Sequence, residues 1–201
     1  MSPQSSSPQS PQSPPESLSQ SDTGALDNIS KGDGGHLFWN IIRIVPDFPK
    51  QGIDFYDITP LLKTHINEVI DALLMALPDG LLDEVDYLAA IEARGFVFAS
   101  LLAGRLGMGM ILLRKPGKLP PPVANKSYVL EYGQDTLEMQ DNLTPAKVLL
   151  VDDILATGGT LNTAYQLCKQ AGHEVVSALV LLDLTELHGS FPMPVHAVLK
   201  A

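Results

Sequence analysis

Cysteine, basic residues and long apolar runs are all scarce in this chain of 201 residues. Cys168 is the only cysteine, so neither an intramolecular disulfide nor a cysteine-based metal cluster can form. Its position within a helical pattern favours an inert, packed thiol over a nucleophile. Only 13 Lys and Arg stand against 23 Asp and Glu, which disfavours sequence-independent nucleic-acid binding because such binding relies on clustered positive charge. A small anionic substrate would need a locally basic site.

No apolar stretch approaches the ~20 residues that a membrane span requires, and the amino terminus has no hydrophobic signal segment. We therefore predict a cytoplasmic protein without a membrane partner. Hydrophobic residues at 45% and charged residues at 18% are typical of a globular domain.

The amino-terminal segment has a different composition from the rest of the chain. Of its first 22 residues, 18 are Ser, Pro or Gln, with SPQ repeated three times. Such a segment cannot bury enough apolar surface to offset its ordering entropy, so residues 1–33 are predicted to be disordered. A proline-rich docking ligand is the functional alternative. Residues 34–201 are predicted to form the folded domain.

Helical and strand patterns alternate through the folded domain. Apolar stripes predict helices at 65–77, 96–106 and 159–171, and short apolar runs predict strands at 86–91, 110–113, 148–151 and 175–182. Continuously apolar strands are buried on both faces, which indicates an α/β fold with a mostly parallel sheet covered by helices. Ligands of such sheets bind beyond the carboxyl ends of the strands.

One stretch, VLLVDDILATGGT from Val148 to Thr160, combines an apolar strand, two acids and a small, flexible turn. Small residues let successive backbone N–H groups point into one concavity, and the helix that follows adds the positive end of its dipole. The pattern predicts a phosphate cradle formed by Ala156, Thr157, Gly158, Gly159 and Thr160. The ATP-type P-loop pattern, G-x-x-x-x-G-K-[ST], is missing.

Two acids, Asp152 and Asp153, stand before this cradle and are separated from it by two residues. Carboxylates accept hydrogen bonds from vicinal hydroxyls, so an acid pair beside a phosphate site suits a ribose 5-phosphate. In the structural alternative, the acids cap the loop and the glycines only form a tight strand-to-helix turn. The whole thirteen-residue string favours the binding site.

The stretch resembles the phosphoribosyl-diphosphate motif of the type I phosphoribosyltransferases, and its LATGGT ending is most similar to the adenine-specific branch. The resemblance implies that Asp152 and Asp153 bind the ribose 2- and 3-hydroxyls and that the ATGGT loop binds the 5-phosphate. It also implies the fold of that family, a mostly parallel twisted sheet flanked by helices with a small amino-terminal hood and a flexible lid loop. The resemblance extends roughly from Ile41 to Leu187.

Basic residues follow two of the predicted strands. Because the carboxyl ends of parallel strands meet at one edge, these residues should face the acids, although ordinary surface charges are the alternative. Residues 90–119 are similar to the same region of adenine phosphoribosyltransferases. That similarity implies a homodimer, and it puts one side-chain contact in doubt at Ala93, where some branches carry serine. It further implies that pyrophosphate is contacted by Arg94, Arg114, Lys115 and Lys118.

Residues 120–147 show no convincing core element, and a loop this long in a compact domain is typical of a lid or a binding loop. Its SYVLEYG segment resembles the family's catalytic lid, expected at about 115–140. A closed lid would exclude water from a carbocation-like ribose centre. The resemblance implies that Glu131 manages the proton of the purine, whereas the residues alone favour an exposed loop acid.

Base recognition is expected in the hood, residues 45–62, where prolines and a glycine precede a short strand pattern. Backbone C=O and N–H groups match the edge of adenine, and Phe55 suits stacking on the ring, although it would equally pack the strand onto the domain. The segment resembles the hood of adenine phosphoribosyltransferases. This implies that the Asp54 backbone reads the base, Phe55 stacks below it and Ile154 closes the opposite face. Tyr56 stands where the family often has arginine.

Together these features predict a member of the adenine phosphoribosyltransferase family, which would convert adenine and 5-phospho-α-D-ribose 1-diphosphate to AMP and diphosphate in purine salvage. Mg²⁺ is expected as cofactor, carried mainly by the diphosphate substrate and without a strong protein ligand. One alternative is an enzyme of the same fold for another purine base. The other is a non-catalytic nucleotide-sensing regulator, for which a basic surface or DNA-binding extension would be expected.

Overall fold

Five parallel strands form the central sheet of the computed structural model, which describes residues 33–130, 133–141 and 143–201. They are β3 (Tyr87–Ile91), β4 (Gly109–Leu113), β7 (Lys147–Leu155), β8 (Glu174–Asp183) and β9 (Val195–Lys200). Their order is β4-β3-β7-β8-β9, and every neighbouring pair is parallel. The predicted α/β fold is therefore confirmed. The predicted tail lies outside the described residues, apart from its last residue.

Helices cover the sheet. Three of them, α3 (Ile66–Met75), α4 (Gly95–Leu106) and α5 (Gly159–Gln170), match the predicted helices to within two residues at each end. Two more, α1 (Asp33–Ile41) and α2 (Thr59–Thr64), were not predicted. The six residues of α2 are too few to show a helical stripe, although a proline near the first position is a known start signal.

The strands alternate their side chains between two hydrophobic cores. On β3, Leu88 and Ala90 belong to the core under α3 and α4, whereas Ala89 and Ile91 belong to the core under α5. The strand is therefore buried on both faces, which explains its unbroken apolar sequence. None of the described helices is long and apolar enough to cross a membrane.

Strand β7 is longer than the predicted 148–151. It continues to Leu155 because β8 also continues and pairs with it, with Asp152 opposite Val180 and Leu155 opposite Asp183. The interpretation that Asp152 and Asp153 follow the strand is wrong, because both lie within β7, close to its carboxyl end. The sheet therefore fixes the backbone of both acids.

The segment predicted to lack a core element instead forms an antiparallel hairpin, β5 (Val123–Leu130) and β6 (Gly133–Gln140). Ala124, Leu137 and Met139 are buried in the core under α5. The sequence signal was weak because polar and charged residues separate these apolar positions. Cross-strand backbone hydrogen bonds, which a local pattern cannot show, stabilise the pair.

A second small sheet pairs the predicted hood with the residues just before it, because β1 (Arg43–Val45) and β2 (Phe55–Asp57) are antiparallel neighbours. Asp57 is buried and holds the two strands together by accepting a 2.8 Å hydrogen bond from Arg43. It also accepts one from the backbone of Thr59 at the start of α2. The predicted short strand before residue 62 is thus confirmed.

The contribution of the hairpin to stability can be tested at one of its buried side chains. Replacing Leu137, which is fully buried, with alanine should lower the free energy of unfolding by about 2–5 kcal/mol. The matched control is Leu187→Ala, because Leu187 is 55% exposed and its loss should change stability by less than about 0.5 kcal/mol. Urea unfolding monitored by circular dichroism measures both. Equal stability of the two variants would contradict the packing of β6 described above.

Candidate active site

The two adjacent acids lie at the carboxyl end of β7. Asp153 is 5% exposed, and its backbone N–H donates a 2.9 Å hydrogen bond to Oδ1 of Asp152. Burial of its carboxylate, followed by the charge of Asp153, raises the pKa of Asp152 well above its ordinary value, although part of the residue remains accessible. The site therefore favours ligands that bring hydrogen-bond donors or positive charge.

Arg94 connects the acid pair to the hood. Its Nε lies 2.7 Å from Oδ2 of Asp153, but the N–H is not aligned for a hydrogen bond, so the contact is an ion pair only. The guanidinium carbon lies 5.3 Å from the centre of the Phe55 ring, within cation–π range. The structure thus brings together three residues that the sequence analysis assigned to pyrophosphate, ribose and adenine.

Gly95 allows the start of α4 to approach β7 closely. A Cβ atom at this position would lie 2.7 Å from the Val151 carbonyl oxygen and 3.1 Å from both Cα and Oδ1 of Asp152. No side chain fits in that space. The lack of a Cβ therefore lets Arg94, one residue earlier, lie beside the acids.

The glycine loop joins β7 to α5, as predicted. Gly158 has φ +80°, the left-handed region that favours glycine, and it is the N-cap of α5 without a side chain to cap the helix. A small cavity opens beside the loop, and it is lined by Asp152, Ile154, Leu155, Ala156, Thr157, Gly158, Gly159, Thr160, Leu161 and Val180. Helix geometry directs backbone N–H groups towards an anion at such a terminus.

The basic cluster after β4 is organised by Glu92, an acid at the end of β3. Arg114 donates two hydrogen bonds to its carboxylate, at 3.1 and 3.3 Å, and the Lys115 backbone N–H donates a third at 2.9 Å. Burial acts to raise the pKa of Glu92, but these donors together lower it. Arg114 also donates to the Lys118 carbonyl oxygen. Arg114, Lys115 and Lys118 therefore lie together after β4, beside Glu92 at the end of β3.

The hood side of the site is lined by aromatic rings. Phe48 and Phe55 meet edge to face with ring centres 5.1 Å apart. Tyr56 packs edge to face against Trp39 of α1, so the residue that replaces the family's common arginine contributes to the attachment of the hood. Asp54 is exposed.

Glu131, the predicted proton-handling acid, lies outside the described residues. Burial raises the pKa of the Cys168 thiol to about 12, which agrees with an inert role. A larger cavity of about 500 Å³ lies beside the edge strand β4, but none of the residues that line it carries a charge, so it does not suit a diphosphate.

Sequence reasoning missed the organising role of Glu92 and the part of the chain that follows β8. The signal for Glu92 was available, because an acid directly follows an apolar strand and precedes Arg94 by two residues. Nothing local marks Phe191, whose ring contacts Gly158 from a segment about thirty residues later.

Comparisons with known proteins agree with this geometry. The family model described as Phosphoribosyl transferase domain matches residues 56–189, which is more than half of the chain. An adenine phosphoribosyltransferase of Hydrogenovibrio crunogenus is 46% identical over 153 residues, covering 76% of this chain and 88% of the relative. One from Thermobifida fusca is 49% identical over 161 residues, covering 78% and 90%.

A solved structure is similar at the level of the fold. The adenine phosphoribosyltransferase of Saccharomyces cerevisiae, complexed with D-2,5-dideoxy-2,5-imino-altritol 1,6-bisphosphate and adenine, has a TM-score of 0.76 and 31% identity. The match covers 83% of this chain and 98% of that one.

The parallel sheet, the acid pair and the glycine loop, with the matching family model, define a phosphoribosyltransferase. The sequence identity and the coverage of the matches also identify the family within this class. The chain belongs to the adenine phosphoribosyltransferase family, and the resemblance seen in the sequence is confirmed.

Two glycine variants within α4 test the close approach of Gly95 to the backbone of β7. Gly95→Ala should destabilise the protein by about 1–3 kcal/mol, because the new Cβ meets backbone atoms that cannot move freely. Gly104→Ala is the control, because its Cβ would meet no atom within 4 Å and should stabilise the helix by about 0.5–1 kcal/mol. Thermal unfolding of both variants measures the difference. Stabilisation by Gly95→Ala would contradict the proposed approach.

Proposed function

We propose that this protein transfers the 5-phosphoribosyl group of 5-phospho-α-D-ribose 1-diphosphate to adenine, forming AMP and diphosphate. The observation that carries the proposal is the meeting of Arg94, Asp153 and Phe55 at the carboxyl edge of the sheet, next to the glycine loop. An acid, a cation and an aromatic ring beside an anion site match the parts of a phosphoribosyl diphosphate and a purine. Family membership supports the same reaction.

The ribose 5-phosphate would bind across β7 and the loop that follows it. Backbone N–H groups and hydroxyls of the loop, Ala156 to Thr160, would hold the 5-phosphate. Asp152 and Asp153 would accept hydrogen bonds from the ribose 2- and 3-hydroxyls. This arrangement fixes the sugar at both ends, so that its anomeric carbon faces the hood.

The diphosphate would lie against the basic cluster of Arg94, Arg114, Lys115 and Lys118. Mg²⁺ prefers oxygen ligands and keeps most of its waters, and the acid pair offers oxygen donors beside the cradle. Within the described ranges, no group of three or more His, Cys, Asp and Glu side chains is placed to hold a metal ion. Mg²⁺ would be carried mainly by the substrate, where it would neutralise part of the charge of the diphosphate.

Adenine would lie between Phe55 and Ile154, with the Asp54 backbone reading its edge. Bond formation joins N9 of adenine to the anomeric carbon, while the bond from that carbon to the diphosphate oxygen breaks and its electron pair leaves with diphosphate. The proton of N9 must then be removed, and Glu131 is the proposed acceptor within the lid. Catalysis would rest mainly on positioning and on neutralising the departing charge.

A homodimer forms part of the proposal. Val97 and Leu101 lie one turn apart on α4 and are 39% and 42% exposed, so they form an apolar strip on the surface of the single chain. A second copy of the chain would cover this strip. The cytoplasmic location stays a prediction from the sequence.

Side-by-side turnover of adenine, hypoxanthine, guanine and orotate tests the substrate. We expect AMP formation from adenine to exceed the other reactions by at least about 100-fold in kcat/KM, because a site that hydrogen-bonds one base edge leaves polar groups unpaired with another base. Preference for another base would indicate a different hood specificity. Binding of the diphosphate without any turnover would favour the regulator.

Two variants separate the proposed roles of the acids. Asp153→Asn should raise the KM for the phosphoribosyl diphosphate about 10–100-fold, because a hydrogen bond to a charged group is lost. Glu131→Ala should instead lower kcat about 100-fold or more, with little change in that KM. Steady-state AMP formation measures both parameters. Wild-type kinetics in either variant would remove the role assigned to that residue.

The apolar strip on α4 gives a test of assembly. The double variant Val97→Lys, Leu101→Lys should sediment as a single chain, because burying two charges in an interface is unfavourable. Met75→Lys is the control, since Met75 is 56% exposed on a different helix and its replacement should leave the dimer intact. Sedimentation velocity measures the mass. A wild type that sediments as a single chain would contradict the proposal.

A further inference from the structure

The segment between β8 and β9 lies directly behind the glycine loop. The backbone N–H of Leu184 donates a 2.8 Å hydrogen bond to the Leu155 carbonyl oxygen, so this segment and the loop leave the sheet from neighbouring positions. No sequence motif in this segment predicts a function. Its residues nevertheless make specific contacts with the loop.

Phe191 fills the space next to Gly158. A Cβ on Gly158 would lie 2.5 Å from Cζ and 2.9 Å from Cε1 of the Phe191 ring. The ring therefore occupies the volume that a side chain at residue 158 would need, and its tip points at the loop. Gly158 is the residue with φ +80° at the start of α5, so the aromatic ring supports the loop at its turning point.

His188 in turn holds Phe191. The two rings are tilted by 54° with centres 5.0 Å apart. Both imidazole nitrogens face acceptors: Nε2 lies 2.6 Å from Oδ1 of Asp183, and Nδ1 lies 2.8 Å from the Gly189 carbonyl oxygen. Two acceptors require two N–H donors, which is the charged form of histidine.

The pKa of His188 is shifted in the direction that this geometry favours. Burial acts to lower the pKa of His188, but the Gly189 carbonyl and the Asp183 carboxylate together raise it. Asp183 itself is buried at the end of β8. The ring is thus fixed at both edges to the sheet and to its own segment, and it presents its face to Phe191.

We propose that Phe191 and His188 are positioning residues that hold the glycine loop in the shape that binds the 5-phosphate. A loop of small residues has much conformational freedom to lose when it binds an anion. Support from a ring that is itself held in place reduces that loss before the ligand arrives. The inference rests on the proposed function, and it concerns only the phosphate end of the substrate.

The test uses the full chain with Phe191→Ala and Phe191→Leu, the second of which keeps most of the apolar volume. Titration calorimetry with ribose 5-phosphate measures the affinity for the phosphate end of the substrate without a catalytic step. We expect the affinity to fall about tenfold in both variants. In AMP formation, the KM for the phosphoribosyl diphosphate should rise by a similar factor, while the KM for adenine stays within about twofold. His188→Gln should change the same two quantities in the same direction.

The control is Leu187→Ala, an exposed neighbour in the same segment, which should match the wild type in every parameter. A double-mutant cycle measures the contact between the loop and the ring directly. The new methyl group of Gly158→Ala would clash with the Phe191 ring, and this clash is absent when residue 191 is alanine. The combined variant Gly158→Ala, Phe191→Ala should therefore lose less affinity for ribose 5-phosphate than the product of the two single losses.

Unchanged affinity in Phe191→Leu, or an equal rise in both KM values, would overturn the inference and assign Phe191 a packing role only. That result would leave the proposed function intact if AMP is still formed. Conversely, a wild type that binds ribose 5-phosphate but forms no AMP would contradict the proposed function. The loss of ribose 5-phosphate affinity on Phe191 replacement would still support the positioning role.

Discussion

The negative charge of Asp153 is the constraint on which the site depends. A carboxylate that is 5% exposed has lost most of its hydration, and such a charge is tolerated only beside a compensating group. Arg94 supplies the opposite charge at 2.7 Å, but without the alignment of a hydrogen bond. The charge of the acid is therefore compensated, while its Oδ2 has no hydrogen-bond donor. A sugar diol provides such donors without adding charge.

Arg94 also explains how three distant parts of the chain meet at the site: the start of α4, the acid pair of β7 and Phe55 of the hood. It precedes Gly95, whose missing side chain lets α4 begin against the backbone of Asp152. The same guanidinium lies against Phe55 of the hood. The position of one helix start thus sets the spacing between the acid pair and the aromatic ring. Because this spacing is built from backbone contact, it does not depend on flexible surface side chains.

The features that could be predicted from the sequence are those encoded within a few residues. The stretch from Val148 to Thr160 shows its strand, acids and glycine loop in order, and the three main helices show their apolar stripes. The hairpin β5 and β6 could not be predicted in this way, because its buried positions are separated by polar residues and its stability comes from cross-strand pairing. The extension of β7 to Leu155 depends likewise on the length of β8.

A glycine-rich loop is the part of the site whose shape its own sequence determines least. Glycine permits the left-handed turn at residue 158 but also permits many other conformations, so the folded protein must select one from outside the loop. Here the selection comes from Phe191, and the imidazole that supports it is tied to the end of β8 through Asp183. The sheet therefore constrains the shape of the loop in two ways. Strand β7 leads directly into the loop, and β8 supports it through the contacts of Asp183, His188 and Phe191. A binding loop can in this way combine small residues, which leave backbone amides accessible, with a fixed shape.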